Sequence, residues 1–314
     1  MAKYEFYKEP FDISTKERFL DTIDISQYPP RWWERIFEKS EIFETRKEKD
    51  LYSFTVPDII EFYKFLNCGT ITPLIIYNTN LLKYGQWALN ETLISDGLNH
   101  FDEIDTEILA TCISKLKSQS LVLSYQDFKE MIFKIPNDID KYVFYCLFEG
   151  IKGADYEDIV KLKLSDIDEN EQIVHLDSGR TVPVSKEFIQ ICKNANAQVV
   201  YTGLSVNQLE RDLIPSIYIF KEKSNSSGKD INRTVYNTIV RNIKDLRGEN
   251  GSLTARSIKD SGLIYYLNKR AEELKMNAED LLYSTDKCMD IIYKYNFNLM
   301  TRKRWILQYK DFLI

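Results

Sequence analysis

The sequence predicts a mainly α-helical protein with one small antiparallel sheet, an α+β fold divided into a helical domain and a larger mixed domain. Three observations predict this. Apolar residues recur at helical spacing along most of the chain, and Ile59, Phe62, Tyr63 and Leu66 form the clearest stripe. One strong hairpin pattern lies near the middle of the chain, around Gly179. A hydrophobic share of 44% over 314 residues allows a sizeable core, which excludes wholesale disorder.

The leader, residues 1–50, is predicted to contain short helices broken at Tyr28-Pro29-Pro30. Aromatic and aliphatic residues then follow at helical spacing, a pattern typical of packing residues. These residues are Trp32, Trp33, Ile36 and Phe37.

Residues 51–117 are predicted to form a helical domain. Thr55 caps a helix with an early proline, and Gly69 ends it. Thr70 or Thr72 starts the next helix, and a further helix covers about residues 103–117. A linker is predicted over residues 116–124.

Residues 118–314 are predicted to form the mixed domain. Ser124 caps its first helix, and Asp140 to Phe148 forms a strongly apolar one. The segments Ile173–Leu176 and Arg180–Val184 flank a glycine turn and predict a β-hairpin. One more strand is expected over Ile214–Phe220, and helices are expected over residues 231–246, 254–274, 277–283 and 286–295.

The charge is unevenly distributed along the chain. The formal net charge is −6, which argues against a protein that coats nucleic acid indiscriminately. Residues 1–120 and 121–218 each carry a net charge of −6, whereas residues 219–314 hold 18 Lys and Arg against 12 Asp and Glu. The basic last third therefore permits selective binding to nucleic acid.

Cysteine and histidine usage excludes several kinds of site. The five cysteines are far apart and mostly in apolar contexts, so buried free thiols in a reducing cytoplasm are expected. Only His100 and His175 are available, so neither a Cys/His zinc site nor another metal or cofactor is expected. No apolar run reaches the ~20 residues of a membrane span, so no membrane association is expected.

The order of the elements resembles the tyrosine recombinase, or phage integrase, family. The motifs that carry the resemblance are DIVKLKLSDID (158–168), GRTVPVS (179–185) and TARSIKDSGLIYYL (254–267). The resemblance implies a core-binding domain from Thr55 to about Asn90 and a catalytic-like domain from Leu123 to about Phe297. The segment Phe-Asp-Ile-Ser (11–14) and the later Ile-Tyr-Tyr-Leu (264–267) also resemble the integrase-like master repressors of SPbeta-type Bacillus prophages.

The family's chemistry implies a defined set of residues. A tyrosine hydroxyl attacks a DNA phosphodiester, and two arginines with histidines stabilise the negative charge of the transition state. A lysine in the hairpin turn protonates the leaving oxygen. In this sequence only Arg256 and Tyr293, with Tyr295 as its neighbour, fall on the family's positions. The changed positions are Asp155 for the first arginine (Lys152 in a shifted alignment), Leu253 and Ser284 for histidines, and the turn 177–180 for the lysine.

The resemblance also implies a DNA face, in which two domains clamp the duplex and one helix enters the major groove. The implied groove helix begins at Asn232-Arg233-Thr234, and a basic loop precedes it. A solvated loop and helix face is the alternative for each of these residues. The implied DNA contacts are Arg180, Lys221, Lys223, Asn225, Lys229, Asn232, Arg233, Thr234, Asn237, Arg241, Arg256 and Lys259, with Thr70, Thr72, Asn78, Lys83 and Gln86 in the first domain.

Three functions are compatible with this pattern. The first is a double-stranded DNA-binding phage repressor that occupies operator sites and has lost recombinase catalysis, with a regulatory protein or peptide as a further partner. The second is a diverged but active site-specific recombinase that uses Tyr293. The third is an interaction module without DNA binding. The basic cluster Thr301 to Trp305 is compatible with a phosphate contact, a contact to a neighbouring protomer or a solvated end.

Overall fold

The computed structural model describes residues 4, 6, 8–23, 30–203, 209–224, 230–247 and 253–314. The chain forms two compact units, Met1–Ser118 and Gln119–Ile314. The predicted break at Tyr28-Pro29 lies outside the described residues, as do Asn225 and Lys229. Within the described part of the chain, no helix is both long and apolar enough to cross a membrane.

The N-terminal unit is helical, as the sequence predicts. Residues of the leader and of the following segment share one core, in which Trp33, Phe37, Phe62 and Tyr84 are buried. Its helices, with the last one ending beyond the unit boundary, are α1 (Ile13–Leu20), α2 (Pro30–Lys47), α3 (Val56–Phe65), α4 (Ile71–Asn90), α5 (Thr106–Thr111) and α6 (Lys115–Leu121).

Local capping explains where these helices begin. Thr55 and Asp58 form a reciprocal capping box at the start of α3, and the Thr55 backbone N–H donates to Asp58 Oδ2 at 3.0 Å. The boundary between the two units, at Ser118 and Gln119, lies inside the predicted linker at 116–124, and α6 (Lys115–Leu121) makes most of that segment helical. The predicted helix over 103–117 is divided between α5 and α6.

A buried ionic triad connects α1 and α2 inside this unit. The Lys16 ammonium lies 2.7 Å from Glu44 Oε1 and 2.6 Å from Asp50 Oδ2, and all three side chains are buried. One cation thus faces two buried carboxylates. Burial and the charge of Asp50, opposed by the charge of Lys16, raise the pKa of Glu44 to about 7.

The C-terminal unit contains the predicted helices and hairpin. The chain order of its elements is α7 (Tyr125–Phe133), α8 (Asp138–Phe148), α9 (Glu157–Lys161), β1 (Ile167–Asp168), β2 (Ile173–His175), β3 (Thr181–Pro183), α10 (Lys186–Ala197), β4 (Val200–Thr202), β5 (Glu210–Asp212), α11 (Ile231–Arg247), α12 (Ala255–Leu274), α13 (Ala278–Tyr283), α14 (Thr285–Tyr295) and α15 (Arg302–Tyr309).

Among the described residues of this unit there are two small antiparallel sheets. Strands β1, β2 and β3 pair in chain order, and Val174 faces Val182 across the predicted hairpin. Gly179 in its turn has φ of +79°, a conformation that glycine adopts without strain. The strand expected over Ile214–Phe220 is wrong, because β4 and β5 form the second sheet and that segment contains no strand.

Close packing of α12 on α8 positions the start of α12. A Cβ atom at Gly262 would lie 1.9 Å from the Phe148 carbonyl oxygen, so only glycine permits this approach. Thr254 caps α12, and its hydroxyl accepts the Ser257 N–H at 3.1 Å. Arg256 and Lys259 therefore stand on a rigid first turn and a half.

Candidate nucleic-acid interface

Helix α11 presents a basic and polar face to solvent. Its buried side packs into the core through Val235, Thr238, Ile239, Asn242 and Ile243. Six exposed residues recur at spacings that place them along one side of the helix, and exposed Asp245 lies off that side. The six are Arg233, Tyr236, Asn237, Val240, Lys244 and Arg247, and we call this side the α11 face.

The start of α11 is fixed by an aspartate. The Asp230 carboxylate accepts the Arg233 backbone N–H at 3.1 Å, and the Asp230 carbonyl accepts the Thr234 hydroxyl at 3.3 Å. The side chain of Thr234 thus bonds within the helix, and both Thr234 and Asn232 are half-buried. Of the predicted contacts on this helix, Arg233 and Asn237 are fully exposed.

A second basic group surrounds the start of α12. Arg256 is exposed, with 70% of its side chain accessible, and Lys259 lies one turn further along. Burial lowers the pKa of Lys259, Asp260 opposes this, and the charges of Arg180, Lys152 and Arg256 lower it further. These four cations, Lys152, Arg180, Arg256 and Lys259, are the α12 basic cluster.

The buried side chain of Asp260 orients one cation of the α12 basic cluster, Arg256. Its buried carboxylate accepts hydrogen bonds from Trp305 Nε1 at 3.3 Å and from the Tyr309 hydroxyl at 2.9 Å. Arg256 Nε lies 3.6 Å from Asp260 Oδ2, an i,i+4 ion pair that orients the guanidinium. The C-terminal segment therefore packs on its own unit, and it holds the aspartate that orients Arg256.

Arg180, one of the four cations of this cluster, forms hydrogen bonds inside the fold. Its guanidinium donates to Asp158 Oδ2 at 2.8 Å and to the Lys294 carbonyl at 3.0 Å, and only 17% of the side chain is exposed. These bonds connect the hairpin turn to α9 and α14. The structure thus uses Arg180 to join three elements, in place of the open DNA contact that the sequence suggested.

Three further predicted contacts, Lys221, Arg241 and Lys223, also make contacts inside the fold. The buried Lys221 ammonium donates to the carbonyls of Asn196 and Gln198, the latter at 2.9 Å, at the end of α10. Arg241 Nη2 bonds the Tyr201 hydroxyl and lies 3.4 Å from Asp140 Oδ2. Lys223 Nζ lies over the Tyr201 ring, 3.5 Å from its centroid.

The changed family positions occupy different environments. Asp155 is exposed, in a left-handed conformation with φ of 44°, next to Tyr156 with φ of 69°. Leu253 is buried in the main core, and Ser284 is half-buried between α13 and α14. Tyr293 is 66% exposed, whereas Tyr295 is fully buried. The basic position closest in sequence to Asp155 is Lys152, which belongs to the α12 basic cluster.

The residues on either side of Tyr293 anchor α14 to the core. Lys294 forms a buried ion pair with Glu149, and Glu149 also accepts hydrogen bonds from Tyr266 at 2.8 Å and Ser185 Oγ at 2.6 Å. The Tyr295 hydroxyl donates to the Phe148 carbonyl. The backbone at Tyr293 is therefore fixed, while its side chain projects into solvent.

In the N-terminal unit, α4 carries the predicted contacts. Lys83 and Gln86 are exposed and Thr72 and the capping residue Thr70 are half-buried. Asn78 instead bonds inside the unit, accepting from the Tyr63 hydroxyl at 2.8 Å and donating to two backbone carbonyls.

Four members of the α11 face were not predicted from the sequence: Tyr236, Val240, Lys244 and Arg247. Their spacing indicates the shared surface, since these residues follow Arg233 at three, seven, eleven and fourteen positions and so lie on its side of a helix. No local sequence pattern indicated that Arg180 and Lys221 would bond inside the fold, because their partners are distant in the sequence.

Family models match this chain in two segments. Residues 10–90 match the model described as the MrpR N-terminal core-binding domain, and residues 122–313 match the model described as the MrpR C-terminal catalytic domain. The integrase-like organisation that the sequence predicted, with a core-binding domain followed by a catalytic-type domain, is therefore confirmed.

Individual proteins also resemble this chain. The SPbeta prophage-derived uncharacterized protein YopR of Bacillus subtilis (strain 168) is 27% identical over 319 residues, which span 96% of this chain and 94% of that protein. A crystal structure of XerA recombinase aligns over 93% of this chain and 92% of that chain, with 13% identity and a TM-score of 0.36. No residue role follows from an alignment at that TM-score.

Proposed function

This chain belongs to the MrpR family of integrase-like proteins, and from that premise we propose that it is a double-stranded DNA-binding transcriptional regulator of a prophage. It binds short operator sites and so represses lytic genes. It does not carry out strand exchange. Its site of action is the nucleoid in the bacterial cytoplasm, and a regulatory protein or peptide relieves repression.

The α11 face is the observation that carries this proposal. Three of its members, Arg233, Lys244 and Arg247, are cationic, and phosphate neutralisation supplies most of the affinity of DNA-binding proteins. Asn237 offers an amide that pairs with adenine in the major groove, and Val240 offers a methyl contact to thymine. An exposed helix with this composition fits a groove helix better than a solvated surface, because Tyr236 and Val240 otherwise expose apolar area without use.

The α12 basic cluster supplies a second phosphate-binding surface. A DNA phosphate at Arg256 and Lys259 stabilises both cations, since Lys259 is partly buried among like charges. Asp260 holds Arg256 in place for this contact. Arg256 thus holds a phosphate, as its counterpart does in tyrosine recombinases, although other catalytic positions are changed.

The environments of the changed positions support the proposed loss of catalysis. Buried Leu253 and half-buried Ser284 supply no imidazole, and exposed Asp155 brings negative charge where tyrosine recombinases have an arginine. Removing one transition-state donor costs roughly 2.7–4 kcal/mol in comparable sites. Several such losses together leave too little stabilisation for strand cleavage.

A prophage setting is supported by the relationship to YopR, whose printed description places that protein in the SPbeta prophage. The alternative function is an active recombinase, and the exposed Tyr293 favours it, because its side chain is free to reach a phosphodiester. We prefer the regulator, since an exposed tyrosine without histidine and lysine partners lacks both the base and the acid that the reaction needs.

Genomic footprinting of the bound protein tests the proposal. We expect protected sites at promoters, with occupancy that is lost when Arg233 and Asn237 are both changed to Ala. Lys193→Ala, on the exposed part of α10, is the matched control and leaves the sites occupied. Protection confined to attachment junctions favours the recombinase, and absence of any protected site favours an interaction module.

A further inference from the structure

A concave basic pocket of about 330 Å³ lies between the β4–β5 sheet and α11. Its walls carry Tyr201, Arg211, Lys223, Arg241 and Asp245. Arg241 and Asp245 stand on the side of α11 between its buried residues and the α11 face, so the pocket opens beside that face and is separate from it.

The positive charge of this pocket is incompletely balanced. Arg211 and Lys223 have no carboxylate partner within the described part of the chain. Arg241 has Asp140, but this buried carboxylate also accepts from the Tyr201 hydroxyl at 2.8 Å and from Asn242 at 3.1 Å. Three cations therefore face one internal carboxylate and Asp245 at the rim, which leaves a net positive charge.

Two groups in the pocket lack an acceptor for their protons. The buried Nε of Arg241 has no hydrogen-bond partner among the described residues. Lys223 Nζ lies 3.5 Å from the centroid of the Tyr201 ring, a contact that supplies no lone pair. A donor without an acceptor is costly, so a ligand that brings oxygen atoms supplies the acceptor that Lys223 Nζ lacks.

The protonation of Lys223 reports the same imbalance. Burial and the charges of Arg241 and Arg211, opposed by the charge of Asp140, together lower its pKa to about 8. An anion in the pocket reverses this shift, so binding near pH 8 is coupled to proton uptake.

We propose that this pocket binds the phosphate group of a small phosphorylated molecule. A guanidinium at the wall, a second at the rim and an ammonium match the several oxygen atoms of a phosphate. The recessed position favours a small ligand over the DNA backbone, which is convex and must bring a phosphate into a hole to reach Lys223. The proposal does not depend on DNA binding, and a ligand here lies against the helix that carries the α11 face.

Isothermal titration of the full chain with inorganic phosphate and with pyrophosphate tests this, at constant ionic strength set with chloride. We expect saturable binding with a Kd of about 1 mM or tighter. Arg211→Gln, at an exposed position, and Lys223→Met each weaken binding about tenfold, the loss of one charge-assisted hydrogen bond. Lys193→Gln is the matched control and leaves binding unchanged. At pH 8 the heat depends more strongly on the buffer's ionisation enthalpy in the parent protein than in Lys223→Met, because Lys223 takes up a proton on binding.

Competition with duplex DNA separates the two sources of phosphate. Phosphate binding that persists with saturating DNA, together with unchanged DNA affinity of Arg211→Gln, supports a small-molecule site. Absence of saturable heat, heat that the two variants do not alter, or one-for-one displacement of phosphate by DNA each overturns the proposal.

Discussion

The guanidinium of Arg180 lies between the carboxylate of Asp158, at 2.8 Å, and the backbone carbonyl of Lys294, at 3.0 Å. The turn of the hairpin is thereby fixed to the helix that carries Tyr293. The resemblance to tyrosine recombinases implied a lysine in this turn, whereas the turn carries an arginine that bonds inside the fold. The same relationship leaves only 17% of the Arg180 side chain, a predicted DNA contact, accessible.

Arg180→Ala is expected to act on stability. It leaves the buried carboxylate of Asp158 without its cation, and breaking such a pair costs about 3 kcal/mol. Urea denaturation measures the free energy of unfolding. Lys193→Ala removes an ion pair between exposed side chains and is expected to cost under about 1 kcal/mol. Unchanged stability with lost DNA binding speaks against the structural role of Arg180.

Substitutions on the α11 face are expected to separate affinity from specificity. Arg233→Ala and Arg247→Ala each remove a phosphate contact, so each lowers the slope of log K against log salt by about 0.9. Asn237→Ala removes base readout and costs about 1–3 kcal/mol at the specific site alone. Fluorescence anisotropy across a salt series measures both. An unchanged slope in both arginine variants places the DNA surface elsewhere.

DNA affinity is expected to fall as the pH rises through the lowered pKa of Lys259. The charged form binds phosphate, so deprotonation loses one contact, about 1.5 kcal/mol or roughly tenfold in affinity. Lys259→Arg stays charged and flattens this dependence. Affinity from pH 7 to 10 at constant ionic strength is the measurement, and equal pH profiles for both proteins contradict the assignment.

In the protein without DNA, the contribution of Lys259 to stability is expected to change with pH in the direction opposite to the change in DNA affinity. Between its lowered folded pKa and the unfolded value of 10.5, the unfolded chain binds more protons at this residue. The contribution of Lys259 to stability therefore rises with pH in that window. The difference in unfolding free energy between the parent and Lys259→Met, followed against pH, measures it.

The Lys16 triad is expected to make the N-terminal unit sensitive to one substitution and to pH. Lys16→Met leaves Glu44 and Asp50 buried without a cation, at a cost of about 3–5 kcal/mol near pH 8. Because the folded pKa of Glu44 is raised to about 7, its contribution to stability is present below the unfolded value of 4.5 and is lost as the pH rises through 7. Denaturation at pH 5 and pH 8 measures the cost of Lys16→Met in free energy of unfolding. An equal cost at the two pH values contradicts this prediction.

The sequence predicted most helices and the hairpin because their signals are local. Thr55 and Ser124 cap helices through residues three positions away, and Gly179 sets its own turn. The internal hydrogen bonds of Arg180 and Lys221 could not be predicted from local patterns. The Lys294 carbonyl that accepts from Arg180 is 114 residues away, and the carbonyls at Lys221 lie 25 and 23 residues away. Distant packing decides whether a basic residue is available to DNA.

A nicked suicide substrate built from a footprinted site tests whether this recombinase fold binds DNA without breaking it. We expect a salt-sensitive shifted complex that dissociates completely in denaturant, alike for the parent protein and for Tyr293→Phe. A covalent protein–DNA band that disappears in Tyr293→Phe would instead establish an active recombinase.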